Sequence, residues 1–149
     1  MPQQYKYGTT RRYRRVLIFS VLTFGIYYLF YYLWLFRDLE DHYQRTLDFE
    51  LEAYPTRNNP TTMFVFLFFL PIYSIYVKYH LLHEHIATSK TQSKANCSEG
   101  YKAMLVFIFL TFLTIGIVPL ILEFRWQNVY NAHILAHEKR EKSWRKNGV

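Results

Sequence analysis

Three uncharged runs dominate the pattern of apolar and polar positions. Val16–Phe36 holds 21 consecutive residues without a charge, Ala103–Leu122 holds 20, and Thr61–Val77 holds 17 with Pro71 inside it. A helix rises about 1.5 Å per residue and a bilayer's hydrocarbon core is about 30 Å thick, so runs of this length predict transmembrane helices. Backbone groups in lipid must pair within the segment, which again favours helix. The expected spans are therefore 16–36, 61–77 and 103–122. The second is the shortest, and its Pro71 predicts either a kinked span or a re-entrant one.

Beyond two of the runs the pattern changes period. Leu39, Tyr43, Leu47, Leu51 and Tyr54 recur every three or four residues among Asp38, Glu40, Asp41, Asp48, Glu50 and Glu52. This is the stripe of an amphipathic helix over 37–54, ended by Pro55. Asn59 and Pro60 form a cap-and-N1 pair for the next element, which is expected to run on past 77. Residues 88–100 are small and polar and read as a loop. Residues 123–149 form a second amphipathic helix and charged tail, with Phe124, Val129, Ile134 and Leu135 as its apolar members. Residues 1–15 read as a loose basic arm. The fold class is all-α, an integral membrane protein of three transmembrane helices with amphipathic helical extensions.

Composition sharpens this picture. The mean hydropathy of −0.09 is low for a membrane protein, but only because apolar and charged residues are segregated into blocks. Aromatic residues make up 20%, with 14 Tyr and 13 Phe. Tyr27, Tyr28, Tyr31, Tyr32 and Trp34 crowd one half of the first span, as side chains that favour the head-group layer do. The net charge is +7. Residues 1–15 contribute +5, 37–60 contribute −3, 78–102 contribute +2 and 123–149 contribute +3. Arg11, Arg12, Arg14, Arg15 and Lys78 flank spans, where they would meet anionic lipid head groups, Lys78 by snorkelling. This placement argues for a lipid bilayer as partner and against nucleic acid. The first run is longer than a signal-peptide core and lacks a small-residue cleavage site, so it reads as an uncleaved anchor. The single cysteine, Cys97, excludes an internal disulfide.

The basic arm ahead of the first span predicts a cytoplasmic N-terminus in a multi-pass protein of the cell membrane. Three full spans would put the C-terminus outside. A re-entrant second segment would return both termini to the cytoplasm. Gly25, Pro71, Gly116 and Pro119 are the expected helix-packing positions, the glycines by allowing close approach. The first and third runs also share T-F-G-I (Thr23–Ile26) and T-I-G-I (Thr114–Ile117), which reads either as a weak parallel repeat or as the ordinary use of Gly and Thr at helix contacts.

L-T-F-G-I-Y-Y-L (Leu22–Leu29) with Trp34, L-P-I-Y-S-I-Y (Leu70–Tyr76), and I-G-I-V-P (Ile115–Pro119) followed by Gln127 and Asn131 occur in an order that resembles the small prokaryotic membrane proteins of domain of unknown function 4234. In the first block Trp and the basic residue come later after Gly25 than the family pattern has them. The resemblance covers most of the chain and implies the three-span architecture. The family has no established activity, so it supplies no catalytic residue.

Chemistry is sparse. There is no phosphate-binding glycine loop, nucleophile elbow or paired catalytic carboxylate, and no cofactor is called for. The acids of 38–52 read as a solvated face. Histidines are the exception. His80, His83 and Glu84 share one helical face, and His133 and His137 stand four apart, a spacing that lets two imidazoles chelate a metal. The plainer reading is interfacial histidine, since no H-E-x-x-H or C-x-x-C accompanies them and full spans would put the two groups on opposite sides of the membrane. The expected function is a non-catalytic helix-packing or partner-binding role, in a homo-oligomer or with other membrane proteins. The alternatives are an oligomeric channel or transporter subunit and a metal-dependent membrane enzyme.

Overall fold

The computed structural model describes residues 3–5, 7–50, 60–89, 97–114 and 116–146. These form a two-stranded antiparallel sheet and six helices. The strands are β1 (Gln3–Tyr5) and β2 (Gly8–Thr10). The helices are α1 (Tyr13–Leu22), α2 (Ile26–Glu50), α3 (Pro60–Phe69), α4 (Pro71–Thr88), α5 (Gly100–Leu113) and α6 (Ile117–Lys146). The all-helical class is borne out apart from the small sheet. The expected cap at Asn59 and stop at Pro55 lie outside the described residues.

Each of the three apolar runs is two helices, not one. The first breaks at Thr23–Gly25, where Phe24 and Gly25 have φ of +50° and +88°. The third breaks at Thr114–Gly116, with Gly116 at +79°. The second breaks at Leu70 (φ −137°, ψ 64°), because the residue before a proline is excluded from the helical region. Pro71 thus opens α4 at its first turn and does not kink a longer helix. No helix of the described residues is long and apolar enough to cross a membrane. The expected continuous helices over 16–36, 61–77 and 103–122 are corrected accordingly.

At each break the chain folds back on itself. Tyr13, at the start of α1, lies 6.0 Å from Tyr31 of α2, ring to ring, and its hydroxyl is 3.3 Å from that of Tyr28. Across the second break the Ser74 hydroxyl donates to the Met63 carbonyl at 3.2 Å, and Phe66 meets Tyr73 edge-on. Across the third, Tyr79 of α4 touches both Phe107 of α5 and Trp126 of α6. The result is three helical hairpins packed side by side.

The T-F-G-I and T-I-G-I segments form the same turn. Thr23 and Thr114 each donate their hydroxyl to the carbonyl four residues back, Phe19 and Leu110. Each also accepts the N–H four residues on, from Tyr27 and Val118. Gly25 and Gly116 donate to the carbonyls five back, Ser20 and Thr111. The shared sequence therefore encodes a hairpin turn. The expectation that these glycines sit at helix contacts is corrected, since a Cβ on either would meet nothing within 4 Å. Gly100 is a close-approach glycine, where a Cβ would come within 2.7 Å of the Tyr76 carbonyl oxygen and 2.8 Å of His80 Cβ. Pro119 is buried in the first turn of α6.

From Tyr7 to Arg11 the N-terminal arm is packed down and not loose. The Tyr7 ring is buried, its N–H donates to Glu138 at 3.2 Å, and the backbone of Arg11 exchanges two hydrogen bonds with the Asn131 amide. The core runs along α2, α4 and α6, through Tyr31, Leu35, Leu39, Leu82, Trp126, Tyr130 and Ile134.

Candidate metal centre

Helical spacing places four imidazoles at one level of the core. On α2, His42 belongs to the buried stripe Leu35, Leu39, Tyr43 and Thr46. On α4, His85 continues the stripe Lys78, Leu81 and Leu82. On α6, His133 and His137 continue Trp126 and Tyr130. All four are at most 1% exposed. The six ring-to-ring distances among them fall between 4.5 and 5.8 Å. One ring nitrogen from each lies within 4.8 Å of the others. The closest approaches are His42 Nε2 to His85 Nε2 at 3.1 Å and His137 Nε2 to His133 Nε2 at 3.0 Å.

The surroundings suit metal ligands. His42 Nδ1 lies 2.6 Å from the Tyr7 carbonyl oxygen, so Nδ1–H donates there and Nε2 is left with its lone pair facing the cluster. A second hydrogen bond of this kind is how ligating histidines are held in one tautomer. His133 Nδ1 is buried without a hydrogen-bond partner. Tyr7 stacks on His137 and Tyr43 meets His85 edge-on, closing the cluster from water. Burial first, then the neighbouring imidazoles, hold His85 and His133 well below the ordinary histidine pKa. Both are neutral at pH 7, the form that binds metal.

A tetrahedral zinc ion with bonds of about 2.0–2.1 Å would set its ligand nitrogens about 3.3–3.4 Å apart. The cluster brackets that spacing and needs side-chain adjustment of an ångström or so to reach it. Four imidazoles without a thiolate suit zinc, copper, iron or nickel.

Of the residues singled out from sequence, His133 and His137 belong to the cluster. His80, His83 and Glu84 do not. His80 faces outward, 3.3 Å from Glu84 and stacked on Tyr76, and His83 Nδ1 meets the Cys97 carbonyl. The cluster members that the sequence reading missed are His42 and His85. His85 is four residues past Leu81 and His42 three past Leu39, so both lie on apolar stripes, and that was the available signal.

Lys78 is a second correction. It is fully buried and ion-paired with Glu123, with its ammonium 4.3 Å from the Trp126 ring centroid and 5.0 Å from that of Tyr32. It does not reach toward lipid, because its side chain follows the inward face of α4. Arg11 pairs with Asp38, while Arg12, Arg14 and Arg15 are exposed. A comparison of the chain with protein-family models, curated proteins and solved structures finds nothing that matches.

Proposed function

We propose that this chain is a metal-stapled helical-hairpin protein, holding one first-row dication, zinc foremost, through His42, His85, His133 and His137. The convergence of four buried imidazoles from three helices, one of them already oriented by a backbone carbonyl, carries this reading. Four protein ligands leave no open coordination position for a substrate or an activated water, in contrast to catalytic zinc sites. The role is therefore non-catalytic: the ion joins α2, α4 and α6, and through Tyr7 also the N-terminal arm.

The test is metal analysis of the detergent-purified full chain, followed by cobalt substitution. The expected result is one metal per chain and the visible absorption of tetrahedral cobalt(II). That spectrum should disappear in His42→Ala and in His133→Ala and persist in His80→Ala. A chain that binds no metal stoichiometrically, or a spectrum unaltered in both cluster variants, would overturn the reading. In that case the four imidazoles are a hydrogen-bonded core cluster.

A further inference from the structure

The three hairpin turns lie at one end of the molecule. Tyr32, Lys78 and Glu123 stand seven, eight and seven residues beyond Gly25, Leu70 and Gly116, and they meet in one cluster about 10–12 Å from the turns. His42, His85 and His133 stand 17, 15 and 17 residues beyond the same points and meet about 22–26 Å away. Helices in step at two levels bring their origins to the same level too.

That end is apolar and bare. Phe24 is 98% exposed, and Phe69 and Leu113 are 78% exposed each. Val21, Leu22, Leu70 and Ile117 add to the same surface. An apolar patch of this extent marks an interaction surface.

The backbone of the turns is equipped for a covering of hydrocarbon. A helix start leaves its first four N–H groups without an intrahelical partner. Here Ile26, Tyr27 and Tyr28 donate to the Thr23 carbonyl, the Thr23 hydroxyl and the Gly25 carbonyl. Ile117, Val118 and Leu120 donate to the Thr114 carbonyl, the Thr114 hydroxyl and the Gly116 carbonyl, and Pro119 between them has no N–H. Pro71 likewise removes a donor at the middle turn. Such provision is common in water, where it is optional, and obligatory in hydrocarbon, so the turns meet the condition that burial in lipid sets.

Length and charge agree. The descending arms α1 and α3 are 10 residues each, or about 15 Å, half of a hydrocarbon core of about 30 Å. At about that height stand the exposed Arg12, Arg15, Lys102 and Arg125, with Trp34 beside them. Arg11, Arg12 and Arg15 also head a groove of about 500 Å³ whose walls are Val16, Phe19, Tyr27 and Trp34. Cations above apolar walls match a phosphate head group above its acyl chain.

We infer that the three hairpins insert side by side into a single leaflet of an anionic phospholipid bilayer, their turns reaching its midplane, while both termini and the histidine cluster stay on the side they entered from. The three uncharged runs are then three re-entrant wedges, and none of them is a span.

The test places a nitroxide at Phe24→Cys, Phe69→Cys or Leu113→Cys in the full-length Cys97→Ser chain, reconstituted in vesicles of phosphatidylcholine and phosphatidylglycerol at two to one. Labels at all three positions should collide with oxygen and not with an aqueous nickel chelate, and report a common depth near the midplane. A label at Ser143→Cys should be accessible to the chelate. With chelate on one side only, a label at Thr10→Cys should respond from the same side as the one at Ser143→Cys. Turn labels open to the aqueous chelate, or the labels at 10 and 143 responding from opposite sides, would overturn the inference.

Discussion

At the scale of single residues, the site depends on imidazoles kept neutral by burial. Because His85 and His133 titrate below 6.5 when folded, the unfolded chain takes up protons first as the pH drops. Their stabilising contribution is complete above about pH 6.5 and is lost progressively below it. Metal-free protein should therefore show a flat melting temperature from pH 8 to 7 and a falling one from pH 6.5 to 5, followed by circular dichroism. The fall should be smaller in a His85→Gln variant. The turn glycines make a separate case. Gly25 and Gly116 have room for a side chain but a left-handed backbone, so Gly→Ala at either should cost about 1–2 kcal/mol in detergent. At Gly100 the same change drives a methyl into the Tyr76 carbonyl, with a cost of about 1–3 kcal/mol and a loosened α4–α5 contact.

At the scale of elements, α4 and α6 are joined by the Lys78–Glu123 pair, whose removal from water is compensated by the partner charge and three aromatic faces. Breaking a buried pair by one substitution costs about 3–5 kcal/mol, whereas apolar replacement of both partners is close to neutral. Glu123→Leu alone should thus destabilise strongly, and Lys78→Met with Glu123→Leu should recover most of the loss, as read by chemical denaturation. The same stretch of sequence that made α4 look like part of a span with a snorkelling lysine also held the evidence against it. Lys78 is in register with Leu81, Leu82 and His85, a stripe that points inward. Residues at the ends of apolar runs are ambiguous on sequence alone, because a lysine at such an end can reach up to water or in to a carboxylate, and the carboxylate here is 45 residues away.

At the scale of the whole molecule, the N-terminal arm is a positioning device. Tyr7 orients His42 through its carbonyl, and loss of such an orienting partner typically lowers metal affinity about ten- to a hundredfold. Deletion of residues 1–10 should weaken cobalt binding by that factor while leaving α-helical content unchanged.

The sequence by itself determined the helical class and the three apolar runs, because helix propensity and uncharged length are local properties. Even the repeated Thr-x-Gly-Ile was visible there, although its meaning as a turn was not. Only the tertiary structure decided that each run doubles back, that Lys78 and Glu123 meet, and that His42 and His85 join His133 and His137. Those outcomes depend on which faces of distant helices pack together and at what level, and helical periodicity specifies a face without naming its partner.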